Sequence, residues 1–266
     1  MVGALGNKIA APRTYAPEIL EPITRQEGRE NLGRLPSSMS GYDCWHLYEL
    51  SWLNVKKQPQ HAVGVLQVDA GSPATIESKS LKLYLNSLNF HCFQSETEAC
   101  EVICGDIGRV TQSDVGLTLI SPDGLAAITR EPKGLLLEAD ASVSDGASDN
   151  SSWCYWDSEV GDLSFVSHRL RSLCPVTSQP DWGTLVIDYR GRPLNKSRLL
   201  AFIESFREHQ EFHEQCVERC FYALMEETRP EFLKVTAYYQ RRGGIDITPV
   251  RSSCATVPES WRMGRQ

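Results

Sequence analysis

Two stretches in the first half of the chain carry the clearest patterns of apolar and polar positions. Residues 61–69 alternate between a more apolar and a less apolar set, which predicts a strand with one face more buried than the other. Residues 76–88 instead repeat with the period of a helix. Their apolar stripe, at spacings i, i+3, i+4 and i+7, consists of Leu81, Tyr84, Leu85 and Leu88.

Weaker patterns predict the other elements of the first half. A second helix is predicted over 96–103, a short strand over 115–120, and a packed strand or turn in the aromatic-rich stretch 45–53. Residues 1–40 have scattered proline, glycine and charge without periodicity, which indicates an arm over the folded body. Residues 139–152 are small, acidic and turn-prone, so we expect an exposed boundary between two halves there.

The second half repeats the order of elements found in the first. A strand is predicted over 181–189, a turn over 191–193 and a helix over 197–209. An offset of 118 residues superposes the apolar positions of the two helices, which indicates two copies of one unit. The predicted fold class is α+β, with antiparallel sheets and helices packed on one face. After the arm, the predicted units are residues 41–145 and 146–266.

Four more elements are predicted near the end of the chain. A long helix is expected over 212–227, because its apolar residues fall on one side. A strand over 232–239 and a turn over 241–244 follow. The last predicted strand, 245–247, is expected to stop before Pro249, since proline lacks the N–H that a sheet needs.

Composition and charge narrow the class of protein. The 266 residues are 41% hydrophobic and 23% charged, as in ordinary globular domains with an ample core. The net charge of −7 argues against non-specific binding of nucleic acid. Because residues 1–20 lack a continuous apolar run and no stretch approaches the length of a membrane span, we expect a cytoplasmic protein without a signal peptide. Nine cysteines without a C-x-x-C pair argue against a disulfide framework.

One stretch of the second half holds a thiol and a carboxyl group seven residues apart, Cys174 and Asp181. Pro175 and Pro180 disfavour helical angles at the residues before them, so the segment is predicted to be extended or turning backbone. A thiolate is a nucleophile, and a carboxyl group donates a proton near neutral pH when an aromatic neighbour such as Trp182 raises its pKa. This pair indicates covalent chemistry on an electrophilic carbon.

Three other polar clusters are candidate ligand sites, each weak when taken alone. Residues 77–79 stand at a predicted helix start, where free backbone N–H groups favour anions. His213 and Glu214 begin the long helix, and a carboxylate can accept two parallel N–H bonds from a guanine-like edge. A capping or solvated pair is the more ordinary explanation for them. Arg241 and Arg242 offer two guanidinium groups beside Gly243 and Gly244, which suits a phosphate, but a charged hairpin turn explains them at least as well.

The long helix has a set of residues that could be either metal ligands or ordinary core residues. His213, Cys216 and Cys220 recur on one predicted helix face and could be read as metal ligands. Three ligands on one helix face fit tetrahedral zinc poorly, and the same stripe is apolar. Buried free cysteine is common in protein cores, so the spacing favours core thiols and no metal site is predicted.

The combination of four separated motifs resembles one known family, the NADPH-dependent 7-cyano-7-deazaguanine reductases, which are nitrile reductases of queuosine biosynthesis. The matching motifs are Glu-Ser-Lys-Ser-Leu-Lys-Leu-Tyr at 77–84, Cys-Pro-Val-Thr-Ser-Gln-Pro-Asp at 174–181, Phe-His-Glu-Gln-Cys at 212–216 and Arg-Arg-Gly-Gly-Ile-Asp at 241–246. The resemblance extends from about residue 42 to the last residue and is to the long form, whose halves are tandem tunnelling-fold (T-fold) units. It implies a homodimer, because such units close barrels by association.

The resemblance also implies roles for residues within these motifs. Cys174 corresponds to the thiolate that adds to the nitrile carbon and forms a thioimide, and Asp181 corresponds to the proton donor. The implied substrate-binding residues are Ile76, Glu77, Ser78, His213 and Glu214, and the implied cofactor-binding residues are Ser78, Lys79, Arg242 and Gly243. Reduction of a nitrile to an amine requires two hydrides, hence two NADPH per turnover. The implied partner is a small 7-deazaguanine, without nucleic acid, membrane or metal.

Two other functions stay open on the sequence. The Cys/His helix and a purine-edge glutamate also suit a zinc-dependent, cyclohydrolase-like T-fold enzyme acting on a purine or pterin. A non-catalytic purine- or RNA-binding module is the third possibility, and the acidic net charge disfavours its RNA form. Stoichiometric zinc would favour the cyclohydrolase-like enzyme. Tight binding without NADPH oxidation would favour the binding module.

Overall fold

The computed structural model describes residues 12–32, 39–140 and 151–266. Its strands are Pro22–Thr24 (β1), Ser40–Leu53 (β2), Pro59–Asp69 (β3), Ala74–Ile76 (β4), Val115–Ile120 (β5), Leu135–Leu136 (β6), Gly161–Leu173 (β7), Pro180–Gly191 (β8), Phe232–Tyr239 (β9) and Ile245–Ser252 (β10). Its α-helices are Arg25–Glu30 (α1), Ser78–Ser87 (α2), Glu96–Thr111 (α3), Lys196–Ser205 (α4) and His213–Thr228 (α5). Short 3-10 turns occupy Pro17–Ile19, Leu88–Phe90, Pro122–Ile128, Leu137–Ala139 and Phe206–Glu208.

Eight strands form one continuous sheet in the order β5-β3-β2-β10-β9-β8-β7-β6. All neighbours are antiparallel except β6 and β7, which run parallel. The last strand, β10, lies at the centre, where it pairs with β2 from Ile245 opposite Leu47 to Ser252 opposite Ser40. Because β10 also pairs with β9, this one strand joins the two halves of the molecule.

The repeat predicted from the sequence is visible as two runs of matching elements. The order β2-β3-α2-α3-β5 is followed by β7-β8-α4-α5-β9. Each run opens with a long hairpin that shifts register once, between Leu47 and Leu50 in the first and between Ser167 and Leu170 in the second. Each first helix has ten residues and ends in a 3-10 turn, and each second helix has sixteen residues.

The long helices pack on one face of the sheet and form two hydrophobic cores. The core of the first run holds Trp45, Leu66, Tyr84 and Ile103, and β10 adds Ile245 and Ile247 to it. The core of the second run is built from alternate residues of β8 and β9 against α4 and α5, including Ile187, Val235, Ile203 and Phe221. The predicted α+β class, with antiparallel strands and helices on one face, is confirmed.

The opposite face of the sheet is covered by irregular chain, which the sequence patterns did not predict. Ile128, in the 3-10 turn after β5, packs with Ile120 of β5 against Tyr42 and Val65, while Trp261 and Met263 pack on Val186 and Tyr238. No helix within the described ranges is both long and apolar enough to span a bilayer.

Two predicted elements need correction. The second helix runs to Thr111 rather than ending at residue 103, because Ile103 and Ile107 continue its buried stripe past two glycines. The strand β10 continues through Pro249 to Ser252. It tolerates proline because β10 pairs with β9 only from Val250 onward, so position 249 lies outside that ladder.

The N-terminal arm and the unit boundary are described only in part. Within the predicted arm, β1 pairs antiparallel with β4, and α1 follows directly. Residues 141–150 lie outside the described residues, so the boundary predicted over 139–152, and with it the division into units 41–145 and 146–266, stays a prediction.

Candidate functional site

Cys174 stands at the start of a six-residue hairpin loop between β7 and β8. The loop is closed by two backbone hydrogen bonds, from the Cys174 N–H to the Gln179 carbonyl (2.9 Å) and from the Ser178 N–H to the Cys174 carbonyl (2.9 Å). Ser178 has a φ of 55°, a left-handed conformation that makes the turn tight. The proline-flanked segment is therefore turning backbone that presents a thiol, as the sequence predicted.

The surroundings of Cys174 favour its thiolate. Burial opposes the charge, but hydrogen bonds from the Thr177 hydroxyl, the amides of Val176 and Thr177 and the Arg242 guanidinium outweigh it and lower the pKa of the thiol. Burial raises the pKa of Cys216 to about 12, and it also raises the pKa of Cys220. Burial also raises the pKa of Cys44, Cys100, Cys104 and Cys154, so the lowered pKa of Cys174 sets it apart from these thiols.

Asp181 is buried at the start of β8 and lies between two basic side chains. Its Oδ1 is 2.8 Å from Nη1 of Arg242, and its Oδ2 is 3.2 Å from Nε2 of His213. The His213 ring in turn stacks on Tyr239 with a centroid separation of 3.9 Å. Arg242 therefore contacts both members of the predicted catalytic pair, whereas Nε2 of His213 lies close to the Asp181 carboxyl group without forming a hydrogen bond to it.

The predicted role of Trp182 as the aromatic neighbour of Asp181 is wrong. Successive side chains of a strand point to opposite faces, so the buried Asp181 and the exposed Trp182 diverge. The guanidinium groups of Arg171 and Arg207 lie over the indole ring instead. The carboxyl group thus has charged neighbours where the sequence predicted an apolar one.

Glu214 is a buried polar group of the site and lies in the first turn of α5. It is 5% exposed, and its Oε1 accepts a hydrogen bond of 3.0 Å from the Thr75 hydroxyl. Burial and the nearby Asp43 carboxylate raise the pKa of Glu214, while His213 and Arg25 act in the opposite direction. A buried carboxylate that lacks enough hydrogen-bond donors around it is a strong acceptor for a ligand that brings N–H groups.

Glu77 has a structural task that the sequence did not predict. Its carboxylate caps α2 by accepting hydrogen bonds from the amides of Lys79 (3.0 Å) and Ser80 (2.6 Å). The helix start that was expected to offer free N–H groups to an anion is therefore already occupied by this side chain. A carboxylate retains further acceptor positions, so capping leaves Glu77 able to bind a ligand as well.

The mouth of the site is cationic and includes one conformationally special glycine. Lys82 Nζ donates to the carbonyl of Gly243 (2.6 Å) and pairs with Glu49. Gly243 has a φ of 64°, and a Cβ there would approach the Lys82 side chain to 3.3 Å. Glycine at this position keeps the loop before β10 close to α2 and leaves its backbone open to a ligand.

One cavity of about 220 Å³ brings together all the predicted site residues. They are Ile76, Glu77, Ser78, Lys79, Cys174, Asp181, His213, Glu214, Arg242 and Gly243. Its apolar walls include Trp45, Phe212 and Ile247. The two halves of the chain thus contribute different parts of a single site.

Three contributing residues were missed at the sequence level. Thr177 bonds the Cys174 sulfur, and its place inside the motif at 174–181 was the signal that pointed to it. Lys82 lies one turn beyond Lys79 on α2, again within a quoted motif. Thr75 precedes every motif, and nothing in the sequence pattern indicated its bond to Glu214.

The helix cysteines do not form a metal site with His213. Cys216 and Cys220 are both buried in the second core, and burial raises the pKa of each thiol, which opposes the thiolate that a metal would need. In the part of the chain that the structure describes, no group of three or more His, Cys, Asp and Glu side chains is arranged to hold a metal ion.

Most of the chain is similar to known protein families and to individual relatives. Residues 11–119 match the family described as "Nitrile reductase, 7-cyano-7-deazaguanine-reductase N-term", and residues 180–258 match the family described as "QueF-like protein". The protein named NADPH-dependent 7-cyano-7-deazaguanine reductase from Acinetobacter baylyi is 41% identical over 271 residues, covering 98% of this chain and 97% of its own. The protein of the same name from Acinetobacter baumannii strain SDF is 41% identical with the same coverage.

One solved structure was also compared. The crystal structure of the archaeosine synthase QueF-Like in the apo form is 19% identical and aligns with a TM-score of 0.32 over 38% of this chain and 99% of its own. A likeness this low carries no argument about fold or function.

Proposed function

Because the chain belongs to the family of NADPH-dependent 7-cyano-7-deazaguanine reductases, we propose that it reduces the nitrile of 7-cyano-7-deazaguanine to 7-aminomethyl-7-deazaguanine through a covalent thioimide on Cys174. The family resemblance inferred from the four motifs is confirmed by these relatives, and the reaction is an NADPH-dependent oxidation–reduction of queuosine-related chemistry. The observation that carries the covalent mechanism is the lowered pKa of Cys174 inside the cavity that also holds Asp181 and Glu214.

Recognition of the purine edge falls to the buried acids. The Glu214 carboxylate accepts the N1–H and the 2-amino group of the 7-deazaguanine, a bidentate pattern that a carboxylate matches. Glu77 supplies a second acceptor, while His213 and the wall formed by Phe212 and Ile76 hold the ring in place. This arrangement aims the substituent at position 7 toward the hairpin loop.

The chemical step uses the thiolate as nucleophile. The Cys174 sulfur forms a bond to the nitrile carbon, and one π pair of the triple bond moves to the nitrogen, which takes a proton from Asp181. His213, 3.2 Å from Asp181, passes a replacement proton to it. The C–S bond breaks after the first reduction, which returns the thiolate and leaves an imine that the closed apolar walls shield from water.

The cavity mouth fits the phosphates of NADPH. Lys79, Lys82 and Arg242 are cations, and the backbone of Gly243 is open because no Cβ covers it. We place Ser78, Lys79, Arg242 and Gly243 around this cofactor, which when bound supplies hydride, twice for each nitrile reduced. Arg242 also steadies the Cys174 and Asp181 pair, so it links cofactor binding to the reacting groups.

Mass spectrometry of the intact protein tests the covalent step. Mixing the protein with 7-cyano-7-deazaguanine without NADPH is expected to add the mass of one substrate molecule, because the thioimide cannot proceed without hydride. Cys174→Ala removes the nucleophile, so the adduct and at least 99% of turnover should disappear with it. Adding NADPH to the wild-type adduct should release the amine, with two NADPH oxidised per amine formed.

The control is a cysteine outside the cavity. Cys92→Ala changes an exposed thiol and should leave both the adduct and the rate intact. An adduct that persists in Cys174→Ala, or wild-type protein that reduces the nitrile without ever forming one, would refute the proposed mechanism.

The proposal extends to compartment and assembly. All nine cysteines are free thiols, which suits a reducing cytoplasm and is required of the nucleophile. We also propose a homodimer, since the T-fold resemblance implies association and the outer strands β5 and β6 each have a single neighbour within the described sheet.

A further inference from the structure

The segment that the sequence presented as an arm lies directly behind the substrate cavity. Its strand β1 pairs with β4, with Ile23 opposite Thr75. The Glu21 carbonyl accepts from the Glu77 N–H (2.9 Å), and the Glu21 N–H donates to the Ser80 hydroxyl (3.0 Å). These bonds fix both ends of the stretch that runs from Thr75 through Glu77 into α2.

Thr75 connects this strand pair to Glu214, a buried acid of the cavity. Its side chain is 3% exposed, and its hydroxyl donates to Oε1 of Glu214 over 3.0 Å. A hydrogen bond donated to a buried carboxylate favours the ionised form and fixes the carboxyl plane. Thr75 does not itself line the large cavity, so its effect on a ligand passes through Glu214.

Arg25 supplies the matching charge from the first residue of α1. It is 5% exposed, pairs with Asp43 over 2.6 Å, and donates through Nε to the Ser72 hydroxyl over 3.1 Å. Its Nη1 has no hydrogen-bond partner among the described residues. Arg25 and Glu214 line the same small cavity, of about 10 Å³, behind the substrate site.

We propose that residues 21–25, acting through Thr75 and Arg25, are a specificity element that orients Glu214 for the amide edge of the purine and favours its charged form against the effect of Asp43. Two features distinguish this role from general packing. The Thr75 hydroxyl could have bonded to backbone, as other buried threonines do, but it bonds to the functional acid. Arg25 offsets Asp43, whose negative charge otherwise opposes the charge on Glu214. The inference rests on the proposed function, since it assumes that Glu214 binds the purine.

The test combines a substitution with a change in the ligand. In a Cys174→Ala background, where binding is non-covalent, Thr75→Val is expected to weaken binding of 7-cyano-7-deazaguanine about tenfold, since a hydrogen bond to a charged acceptor is lost. Thr75→Ser keeps the hydroxyl and should restore the affinity. With Cys174 present, the KM of Thr75→Val should rise while kcat changes less than about twofold, because the reacting groups are untouched.

A ligand without the 2-amino group, 7-cyano-7-deazahypoxanthine, makes the readout specific to Glu214. Wild-type protein should discriminate against this ligand, and Thr75→Val should discriminate less, because the acid that reads the amino group is no longer held. Calorimetry on the four protein–ligand combinations measures this coupling. If Thr75 had only a structural role, Thr75→Val would lower the affinity for both ligands by the same factor.

Thr111→Val is the matched control, because Thr111 is also buried and donates to the Ile107 carbonyl, outside the site. It should keep wild-type affinity for both ligands. An equal loss of affinity in Thr75→Val and Thr111→Val, or no loss of affinity in Thr75→Val, would overturn the inference. If Thr75→Val does not fold, the Thr75→Ser and Thr75→Ala pair carries the same comparison. Wild-type protein that binds neither ligand would overturn the proposed function itself, a result distinct from both.

Discussion

Two acidic groups in the same cavity, the Cys174 thiol and the Glu214 carboxyl group, have pKa values shifted in opposite directions. Burial acts against the charge on both, but hydrogen bonds from Thr177 and its neighbours lower the pKa of Cys174, whereas Asp43 adds to burial and raises the pKa of Glu214. The thiolate of Cys174 is therefore favoured before a ligand binds. The carboxylate of Glu214 is favoured only when a ligand supplies N–H donors to it. Substrate binding and protonation of Glu214 should compete.

This competition predicts how affinity depends on pH. Below the raised pKa of Glu214 the free protein carries a neutral carboxyl group, which offers the purine one acceptor fewer, so affinity for 7-cyano-7-deazaguanine should fall as pH falls through that value. Asp43, Arg25 and His213 are the charged groups that face Glu214 and set where this happens. Calorimetry of Cys174→Ala across a pH series, in buffers of different ionisation heat, should also detect the released proton.

Glu214→Gln removes the titration and is the control for that experiment. Its affinity should be about tenfold or more weaker and should not change through the same pH range, because the charged acceptor is gone. A group whose folded pKa is raised contributes stability at low pH and loses it as pH rises. The melting temperature of the variant should therefore gain on that of the wild type toward higher pH. A wild-type affinity that does not vary with pH would contradict the proposed role of Glu214.

Single residues could be predicted from the sequence where a motif held them together. Cys174, Asp181 and Glu214 were found because their neighbours in the chain are unusual, and the cavity contains all of them. Thr75 was not found, since its importance comes from a contact with a residue 139 positions away. Arg242 was assigned to the cofactor alone, because only coordinates show its bond to Asp181.

At the scale of elements, helix α2 and the cavity share one side chain. Glu77 caps the helix and also faces the substrate site. Such double use means that helix stability and ligand binding are both affected by one carboxylate. The equivalent cap of α3 comes from Ser95, whose hydroxyl accepts from the Glu98 N–H (3.1 Å) away from the cavity.

Comparing these two caps separates the two tasks. Glu77→Ala and Ser95→Ala should each destabilise the protein by about 1 kcal/mol, the usual cost of a lost N-cap, or roughly 2–4 °C in melting temperature. Only Glu77→Ala should also weaken substrate binding in the Cys174→Ala background. Thermal melts and calorimetry measure the two effects, and equal affinities for both variants would remove Glu77 from the site.

Elements with regular periodicity could be predicted well, and those with interruptions could not. The strand at 115–120 and the strand at 232–239 match their predicted bounds, because their alternation is unbroken. The strand β7 was missed because the register shift between Ser167 and Leu170 breaks its alternation, so polar and apolar residues fall out of phase. Local pattern carries no information about such a shift.

At the scale of the whole molecule, the edges of the sheet predict how copies associate. The outer strand β5 has β3 as its single neighbour, and an open edge of six residues can pair with another chain. We expect sedimentation equilibrium to give twice the 29.8 kDa of the chain at micromolar concentration. A mass of one chain over the full range of concentrations that activity tolerates would contradict the proposed homodimer.

The repeat in the sequence predicted the order of strands and helices in each half, but it did not predict which strand joins the halves. Each half has its own core, as the periodicity indicated. The joining strand could not be inferred, because β10 follows β9 in the second half and yet places Ile245 and Ile247 in the first core. Pairing between strands some 200 residues apart leaves no trace in local sequence.

The central place of β10 has a consequence for synthesis of the chain. Within the described residues it is the last strand to leave the ribosome, yet both cores border it and Arg242 and Gly243 lie just before it. A nascent chain that stops short of residue 241 has the thiol but neither the guanidinium that steadies it nor a closed sheet. Truncated products should therefore remain unfolded and unreactive, and reactivity should begin only after β10 has been synthesised.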